Sequence, residues 1–287
     1  MKLKPWLLFA LGTTIFWGVW GAFIEIPEKA GFPATMGYIV WALTMIIPAV
    51  VALKIIHWKL DRNKKDILHG MLIGISGAAG QLILFQALRT GPAYLVFPFV
   101  SLSPLVTILL SLLLLKEKAS IKSWMGIVIA LVAIPLLSYQ PPATSQKFGV
   151  FWIFLALLVF LLWGVQAYFL KLANNHMKAE SIFFYMMVSG LLLVPVALFM
   201  TEFGKEINLG FKGPYLAACI QILNSIGALF IVYAFRYGKA IIVSPLTNAG
   251  APVITIIISL LIYGVFPHSV ILAGMLLAIV AIFLLAD

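Results

Sequence analysis

Several side-chain amides lie inside long apolar segments of this chain, where the surrounding apolar side chains cannot form hydrogen bonds with them. The amides nearest to segment centres are Gln81, Asn224 and Asn248. Each amide has two N–H donors and two acceptor positions, and apolar neighbours leave most of these unpaired. We therefore expect the three amides to line a cavity and to hydrogen-bond to a small solute. The alternative is helix–helix hydrogen bonding, which contributes about 0.6 kcal/mol per bond inside a membrane.

Hydroxyl groups and indoles extend this predicted site. Trp17 and Trp163 lie within apolar segments and occupy matching places in an internal repeat described below. For any single Ser or Thr, a hydrogen bond between helices is the alternative interpretation. The predicted substrate-binding residues are Trp17, Gln81, Ser101, Ser103, Trp163, Gln166, Asn224, Thr247 and Asn248.

Two of the apolar segments carry paired prolines, Pro98 with Pro104 and Pro245 with Pro252. A proline inside a helix has no N–H, frees the carbonyl one turn back and bends the helix. We interpret these prolines as hinges whose freed carbonyls face the cavity. A kink that serves only packing is the alternative.

Charged groups are missing from the centres of the apolar segments. Glu25 and Glu117 lie at segment ends, as do the histidines His57, His69, His176 and His268. Intramembrane proton relays and metal sites are built from buried carboxylates and imidazoles. The chain also has no nucleophile–base pair, no His-Glu-x-x-His and no phosphate-binding glycine loop. The sequence predicts a protein that is not an enzyme and that uses no cofactor or metal.

The composition is that of an integral membrane protein. Hydrophobic residues make up 63% of the 287 residues and charged residues 10%, whereas soluble domains carry about 25% charged residues. A membrane barrel would show short alternating segments, which are absent. We predict an all-α fold in contact with lipid, with ten transmembrane helices near residues 5–24, 36–56, 67–88, 92–115, 123–139, 149–171, 181–201, 214–235, 239–262 and 269–286.

The basic residues indicate the orientation of these helices. If the N-terminus is cytoplasmic, 14 of the 19 Lys and Arg residues lie on the cytoplasmic side, as the positive-inside rule requires. We predict that both termini are cytoplasmic and that the protein crosses the cytoplasmic (inner) membrane several times. The net charge of +10 is scattered over short loops without interleaved aromatics, so no nucleic-acid partner is expected. The sequence leaves open whether the chain forms a homodimer.

The chain repeats itself after an odd number of spans. Residues 87–98 return 147 positions later, matching Ala87 to Ala234, Arg89 to Arg236 and Pro98 to Pro245, and Trp17-Gly18-Val19 returns as 163–165. Halves of five spans each must be inverted relative to one another, which is the architecture of secondary transporters. We predict a first repeat at 1–140, an outer linker at 141–148 and a second repeat at 149–287.

The stretch from Phe85 through Ala87-Leu88-Arg89-Thr90-Gly91-Pro92-Ala93 to Pro104 and Lys116-Glu117-Lys118 resembles the drug/metabolite transporter superfamily. The resemblance is to the ten-helix, EamA-like type with two five-helix domains. It implies a central cavity formed by spans 1, 3, 4, 6, 8 and 9 and carriage of a small organic solute. The family's glutamate at the end of the fourth helix corresponds to Glu117, but the second half has Val265 in that place.

We therefore expect a secondary transporter that moves a small neutral or zwitterionic metabolite by alternating access around a midplane cavity. Without a buried acid or histidine, facilitated diffusion or exchange is expected, and the resemblance slightly favours export. Two alternatives stay open. A channel-like conductor would have a fixed polar pore, and a non-transporting scaffold or receptor would not need the central amides.

Overall fold

The computed structural model describes residues 4–91, 93–139, 149–204, 206–264 and 266–286. These residues form ten apolar spans, nine of them at least 18 residues long and one, span 5, of 17 residues. The predicted all-α, ten-helix membrane fold is confirmed, and each predicted span agrees with the observed helices to within three residues. The helices of spans 1 to 10 are, in order, Pro5–Phe23; Ala34–Thr44 with Ile46–Ile55; Lys64–Thr90; Ala93–Ser101 with Pro104–Leu113; Ile121–Leu137; Phe151–Asn174; Ala179–Leu192 with Val194–Phe199; Leu216–Tyr237; Ala240–Tyr263; and Ser269–Ala286.

Two short helical turns flank these spans on one side of the molecule. Glu25–Lys29 follows span 1, and the irregular turn Phe211–Tyr215 precedes span 8. Because ten spans bring both ends of the chain to the same side, we call the side of Lys4 and Ala286 the terminus side. The opposite side, where Tyr139 and Gly149 lie, is the linker side.

Spans 2 and 7 are each interrupted at matching places that the sequence analysis did not single out. Span 2 breaks at Met45, three residues before Pro48, and span 7 breaks at Leu193, two residues before Pro195. Pro48 and Pro195 are 147 residues apart, the spacing of the repeat. Each proline removes one backbone hydrogen-bond donor, so the second span of each half is bent.

Spans 4 and 9 differ although they correspond in the repeat. Pro104 follows Pro98 by six positions, but Pro252 follows Pro245 by seven. Seven residues are close to two full helical turns, and span 9 runs unbroken through both of its prolines. Span 4 stops at Ser101 and restarts at Pro104, with a tight turn in which Ser103 N donates to Val100 O at 3.0 Å.

The principal helix pairs join one half of the chain to the other. Span 1 lies between spans 8 and 9, and its counterpart, span 6, lies between spans 3 and 4. Thr255 Oγ1 of span 9 donates to Gly18 O of span 1 at 2.9 Å. Thr107 Oγ1 of span 4 donates to Gly164 O of span 6 at 3.0 Å. These two contacts correspond residue by residue, so the packing between the halves is duplicated with the sequence.

Spans 5 and 10 pack on each other. Gly126 of span 5 lies against Leu285, and Gly274 of span 10 lies against Leu136, a second duplicated contact. Their remaining faces carry exposed apolar side chains such as Val128, Val132, Leu276 and Phe283. This pair therefore forms one flank of the molecule.

Labelling from each side of the membrane tests the predicted orientation. With Cys219 replaced by serine, we expect cysteines at Asn63 and at Phe203 to react from opposite sides, because the odd number of spans between them changes the side. An impermeant maleimide added to sealed cells measures this directly. A cysteine at Ser145, which lies outside the described residues, should react from the same side as Phe203. If Asn63 and Phe203 label from one side, the inverted arrangement is wrong.

Candidate functional site

Both predicted indoles lie at the junctions between the halves. Trp17 Nε1 of span 1 donates to Asn224 O of span 8 at 3.3 Å, and Trp163 Nε1 of span 6 donates to Gly77 O of span 3 at 3.3 Å. Asn224 follows Gly77 by 147 residues, so these are the same hydrogen bond in the two halves. Each tryptophan thus fixes the spacing of one helix pair at its middle.

Glycines make room for both indoles. A Cβ placed on Gly227 would lie 2.5 Å from Trp17 Cδ1, and one on Gly80 would lie 2.5 Å from Trp163 Nε1. Gly80 and Gly227 are also repeat partners. Gly80 of span 3 therefore leaves the space that Trp163 occupies.

Besides Gln86, which lies one turn from the linker-side end of span 3, three amides are half-buried without a side-chain hydrogen-bond partner among the described residues. They are the side chains of Gln81, Gln166 and Asn224. Gln166 lies directly over Gly77, so that a Cβ on that glycine would overlap Nε2 of the amide. Burying an amide without a hydrogen-bond partner costs free energy unless a ligand or a water molecule supplies the missing partner. These three groups are therefore the strongest candidates for binding a solute.

The amides are not duplicates of one another. Gln81 corresponds to Ala228 in the other half, and Asn224 corresponds to Gly77. Each half supplies an amide where the other half has a small residue. The candidate site is consequently asymmetric although the helices that carry its amides are related by the repeat.

The other predicted residues are already engaged. Asn248 Nδ2 donates to Ser244 O in its own helix at 2.9 Å, which leaves the carbonyl end of this amide without a partner. Thr247, 1% exposed, donates to Val243 O at 3.0 Å. Ser101 Oγ pairs with Ser138 Oγ of span 5 at 3.0 Å. Ser103 is buried beside Gly164. In this conformation the hydroxyls take part in packing and only the amides stay open.

The predicted hinge prolines fall into two kinds. Pro104 begins a new helix after the break in span 4, whereas Pro245 and Pro252 lie inside one continuous helix. Pro98 lies within Ala93–Ser101, and its side chain is outside the described part of the structure. Span 4 is thus broken next to Pro104 and span 9 is continuous in this conformation, and the action of these prolines as hinges stays a prediction.

An apolar cavity of about 180 Å³ lies between spans 4 and 6, lined by Leu95, Phe99, Trp152, Ile153 and Ala156. Its lining offers a solute no hydrogen bond, and it lies toward the linker-side end of span 6, more than two helical turns from Gln166. We therefore place the candidate site at the amides and not at this cavity.

One polar contact near the site was not among the predicted residues. Gln221, 5% exposed, accepts a hydrogen bond at its Oε1 from Trp20 Nε1 at 3.0 Å. Trp20 corresponds to Gln166 in the repeat. The same helix position therefore carries a hydrogen-bonded indole in span 1 and an amide without a partner in span 6. The repeat offset of 146 could have shown that these two positions correspond.

The sequence profile of the EamA-like transporter family matches residues 4–139 and 150–286. The chain belongs to this family. It is therefore a multi-pass membrane transporter of the drug/metabolite type and not an enzyme. The two matched stretches coincide with the two copies found from the internal repeat, and small solutes and membrane lipid are the partners of such a protein.

Two known proteins are similar to this family member. An uncharacterized protein of Methanocaldococcus jannaschii is 28% identical over 132 residues, which cover 46% of this chain and 95% of the relative. The relative is thus about half as long as this transporter. A protein crystal structure superimposes with a TM-score of 0.80 at 15% identity, covering 99% of this chain and 96% of the other. That likeness shows the ten-helix fold.

Proposed function

We propose that this transporter carries a small neutral or zwitterionic metabolite across the cytoplasmic membrane by alternating access. The observation that carries the proposal is the set of unpaired amides, Gln81, Gln166 and Asn224, on spans 3, 6 and 8. Amides donate and accept hydrogen bonds but bring no charge. A solute with a net charge of two or more would enter this site without a counter-charge, at a high desolvation cost.

The two indoles complete the proposed site. Trp17 and Trp163 are half-buried and hold the helices through their Nε1 atoms. Their ring faces supply flat apolar surface next to groups that fix orientation, the composition typical of small-molecule sites. We also propose the two five-span repeats, 1–140 and 149–287 joined at 141–148, as the bodies that move, and both termini as cytoplasmic.

The transporter is proposed to work by facilitated diffusion or exchange. Every Asp, Glu and His lies near a span end or in a loop, and none lies near the level of Asn224. A proton-coupled carrier would need a titrating group there. The solute gradient then sets the direction of transport, with export slightly favoured, and this distinguishes the carrier from a pump.

Counterflow in proteoliposomes tests this function. Vesicles loaded with a candidate solute should accumulate the labelled solute transiently, because a carrier exchanges label across the membrane while its site alternates. We expect a single class of neutral or zwitterionic solutes to give counterflow, and imposed proton or sodium gradients to give no sustained accumulation. Protein-free vesicles are the control.

The other outcomes separate the alternatives. Flux without counterflow indicates a channel, and no flux with any of a broad solute panel indicates a scaffold or receptor. Sustained accumulation driven by a proton or sodium gradient contradicts uncoupled transport and directs attention to Glu25 and Glu117. A response to voltage alone indicates a solute with net charge.

A further inference from the structure

A tight turn at residues 238–239 joins spans 8 and 9 on the terminus side. Span 8 ends at Tyr237 and span 9 begins at Ala240, so the turn presents one helix C-terminus and one helix N-terminus side by side. The first has unpaired carbonyls and the second has unpaired N–H groups. The helix dipoles place negative charge at the first end and positive charge at the second.

One side chain of span 6 and one of the loop that follows span 4 hold these two helix ends. Lys171 Nζ donates to Phe235 O at 3.0 Å and to Gly238 O at 2.7 Å. Glu117 accepts from Ala240 N at Oε1 and from Ile241 N at Oε2, each at 3.1 Å. Each charge meets the helix end of opposite sign. Lys171 belongs to span 6, which carries Gln166 of the proposed site, and Glu117 lies four residues after the end of span 4.

Two further hydrogen bonds hold the same turn. Lys239 Nζ donates to Lys118 O at 2.6 Å, and Arg236 Nη1 donates to Met177 O at 2.7 Å. Spans 4, 6, 8 and 9 are thereby joined at their terminus-side ends. A solute could pass between the central site and this side only after these ends separate.

At the linker-side end, the repeat counterparts of Lys171 and Glu117 have different chemistry. The repeat places Glu25 where the second half has Lys171, and Val265 where the first half has Glu117. A carboxylate cannot donate to helix carbonyls, and a valine side chain has no acceptor for helix N–H groups. Glu25 pairs with Lys29 at 2.5 Å in an exposed position. Val265 is outside the described residues, so this comparison rests on its chemistry alone.

We propose that Glu117 and Lys171 form a latch on the terminus-side gate and make the conformation closed on that side the resting state. The inference builds on the proposed alternating-access function. A hydrogen bond to a charged group raises the free energy needed to separate its partners. The Arg236 contact recurs on the linker side, where Arg89 Nη1 donates to Met200 O at 3.2 Å, but the repeat does not duplicate Glu117 and Lys171. Because this pair acts on the terminus side, the conformations that face the two sides are unequally populated before any solute binds.

Cysteine accessibility tests the latch without any solute. In a Cys219→Ser background, we place a reporter cysteine at Ala228, 6% exposed and one turn from Asn224 toward the terminus side. A second reporter at Leu88 lies near the linker-side end of span 3. With Glu117→Gln or Lys171→Gln, we expect about tenfold faster alkylation at position 228 and slower alkylation at position 88. Glu25→Gln, the repeat counterpart of the Lys171 change, should alter neither rate.

The opposite changes at two reporters distinguish a gate from a loosened fold. If both reporters become more reactive, or if thermal stability falls while alkylation stays unchanged, the two side chains only stabilise the structure and the latch is refuted. The same conclusion follows if Glu25→Gln has an equal effect. Counterflow is measured in parallel, so a protein that transports normally but shows no shift in alkylation refutes the latch and leaves the proposed function intact.

Discussion

Replacing Asn224 with leucine should reduce counterflow more than any other single change in the proposed site. Leucine is close to asparagine in size but cannot hydrogen-bond, so a solute group that paired with this amide is left buried without a partner. Such a loss corresponds to about 1–3 kcal/mol, a fall of roughly 5- to 150-fold in solute affinity. Gln81→Leu should act in the same direction, and the double variant should show no counterflow at attainable solute concentrations.

Two comparisons make this result interpretable. Cys219→Leu changes an exposed position of the same span and should leave counterflow unchanged. Asn248→Leu should weaken transport less than Asn224→Leu, because half of the Asn248 amide already bonds to its own helix. The readout is the solute concentration that gives half-maximal counterflow, measured for protein with an unchanged elution profile. Normal values for Asn224→Leu and Gln81→Leu would show that both amides serve packing alone.

Gly164→Ala should be the most destabilising single-methyl change at a helix crossing. The added Cβ would lie 2.4 Å from Val106 Cβ and 2.7 Å from Ser103 O. The second contact is with backbone, which cannot turn away, so spans 4 and 6 must move apart and the Thr107 hydrogen bond to Gly164 O must lengthen. We expect a loss of about 1–3 kcal/mol. Thermal unfolding in detergent, followed by tryptophan fluorescence, measures it.

The inverted repeat supplies a related variant and the chain supplies a control. Gly18→Ala meets Ile254 Cβ at 2.5 Å and Ala251 O at 3.0 Å, so it should destabilise the protein in the same direction but less. Gly37→Ala is the control, because its Cβ would lie 3.7 Å from the nearest neighbouring atom, Gln221 Nε2. Equal unfolding temperatures for Gly164→Ala and Gly37→Ala would show that the spacing of spans 4 and 6 is not limited by this contact.

The helices were predictable because a membrane leaves few choices. Runs of about 20 apolar residues identify the spans, and the odd-numbered repeat required inversion before any coordinates were known. Among site residues, the pairing of Trp17 with Trp163 was visible as a spacing of 146. That both indoles would donate to a backbone carbonyl of the opposite half was not visible, because those partners, Asn224 and Gly77, are 207 and 86 residues away.

The charged contacts were the least predictable part. Lys171 and Lys239 read from sequence as markers of orientation, because basic residues collect at span ends whether or not they have a partner. Glu117 was noticed through the family resemblance. The N–H groups that donate to its carboxylate belong to Ala240 and Ile241, more than 120 residues away. The end of a helix can bind a charged side chain only when the fold brings the two together, and sequence periodicity does not specify that placement.

The interleaving of the two halves has a consequence for how the protein is made. Span 1 packs between spans 8 and 9, span 3 beside spans 6 and 7, and span 5 against span 10. When synthesis has reached the middle of the chain, the first five helices are already in the bilayer but most of their partners do not yet exist. Thr13, which donates to Gly227 O in the finished protein, must wait for span 8. The helices must therefore assemble after they have been inserted. Until the last spans are synthesised, the first half remains exposed to membrane chaperones and proteases.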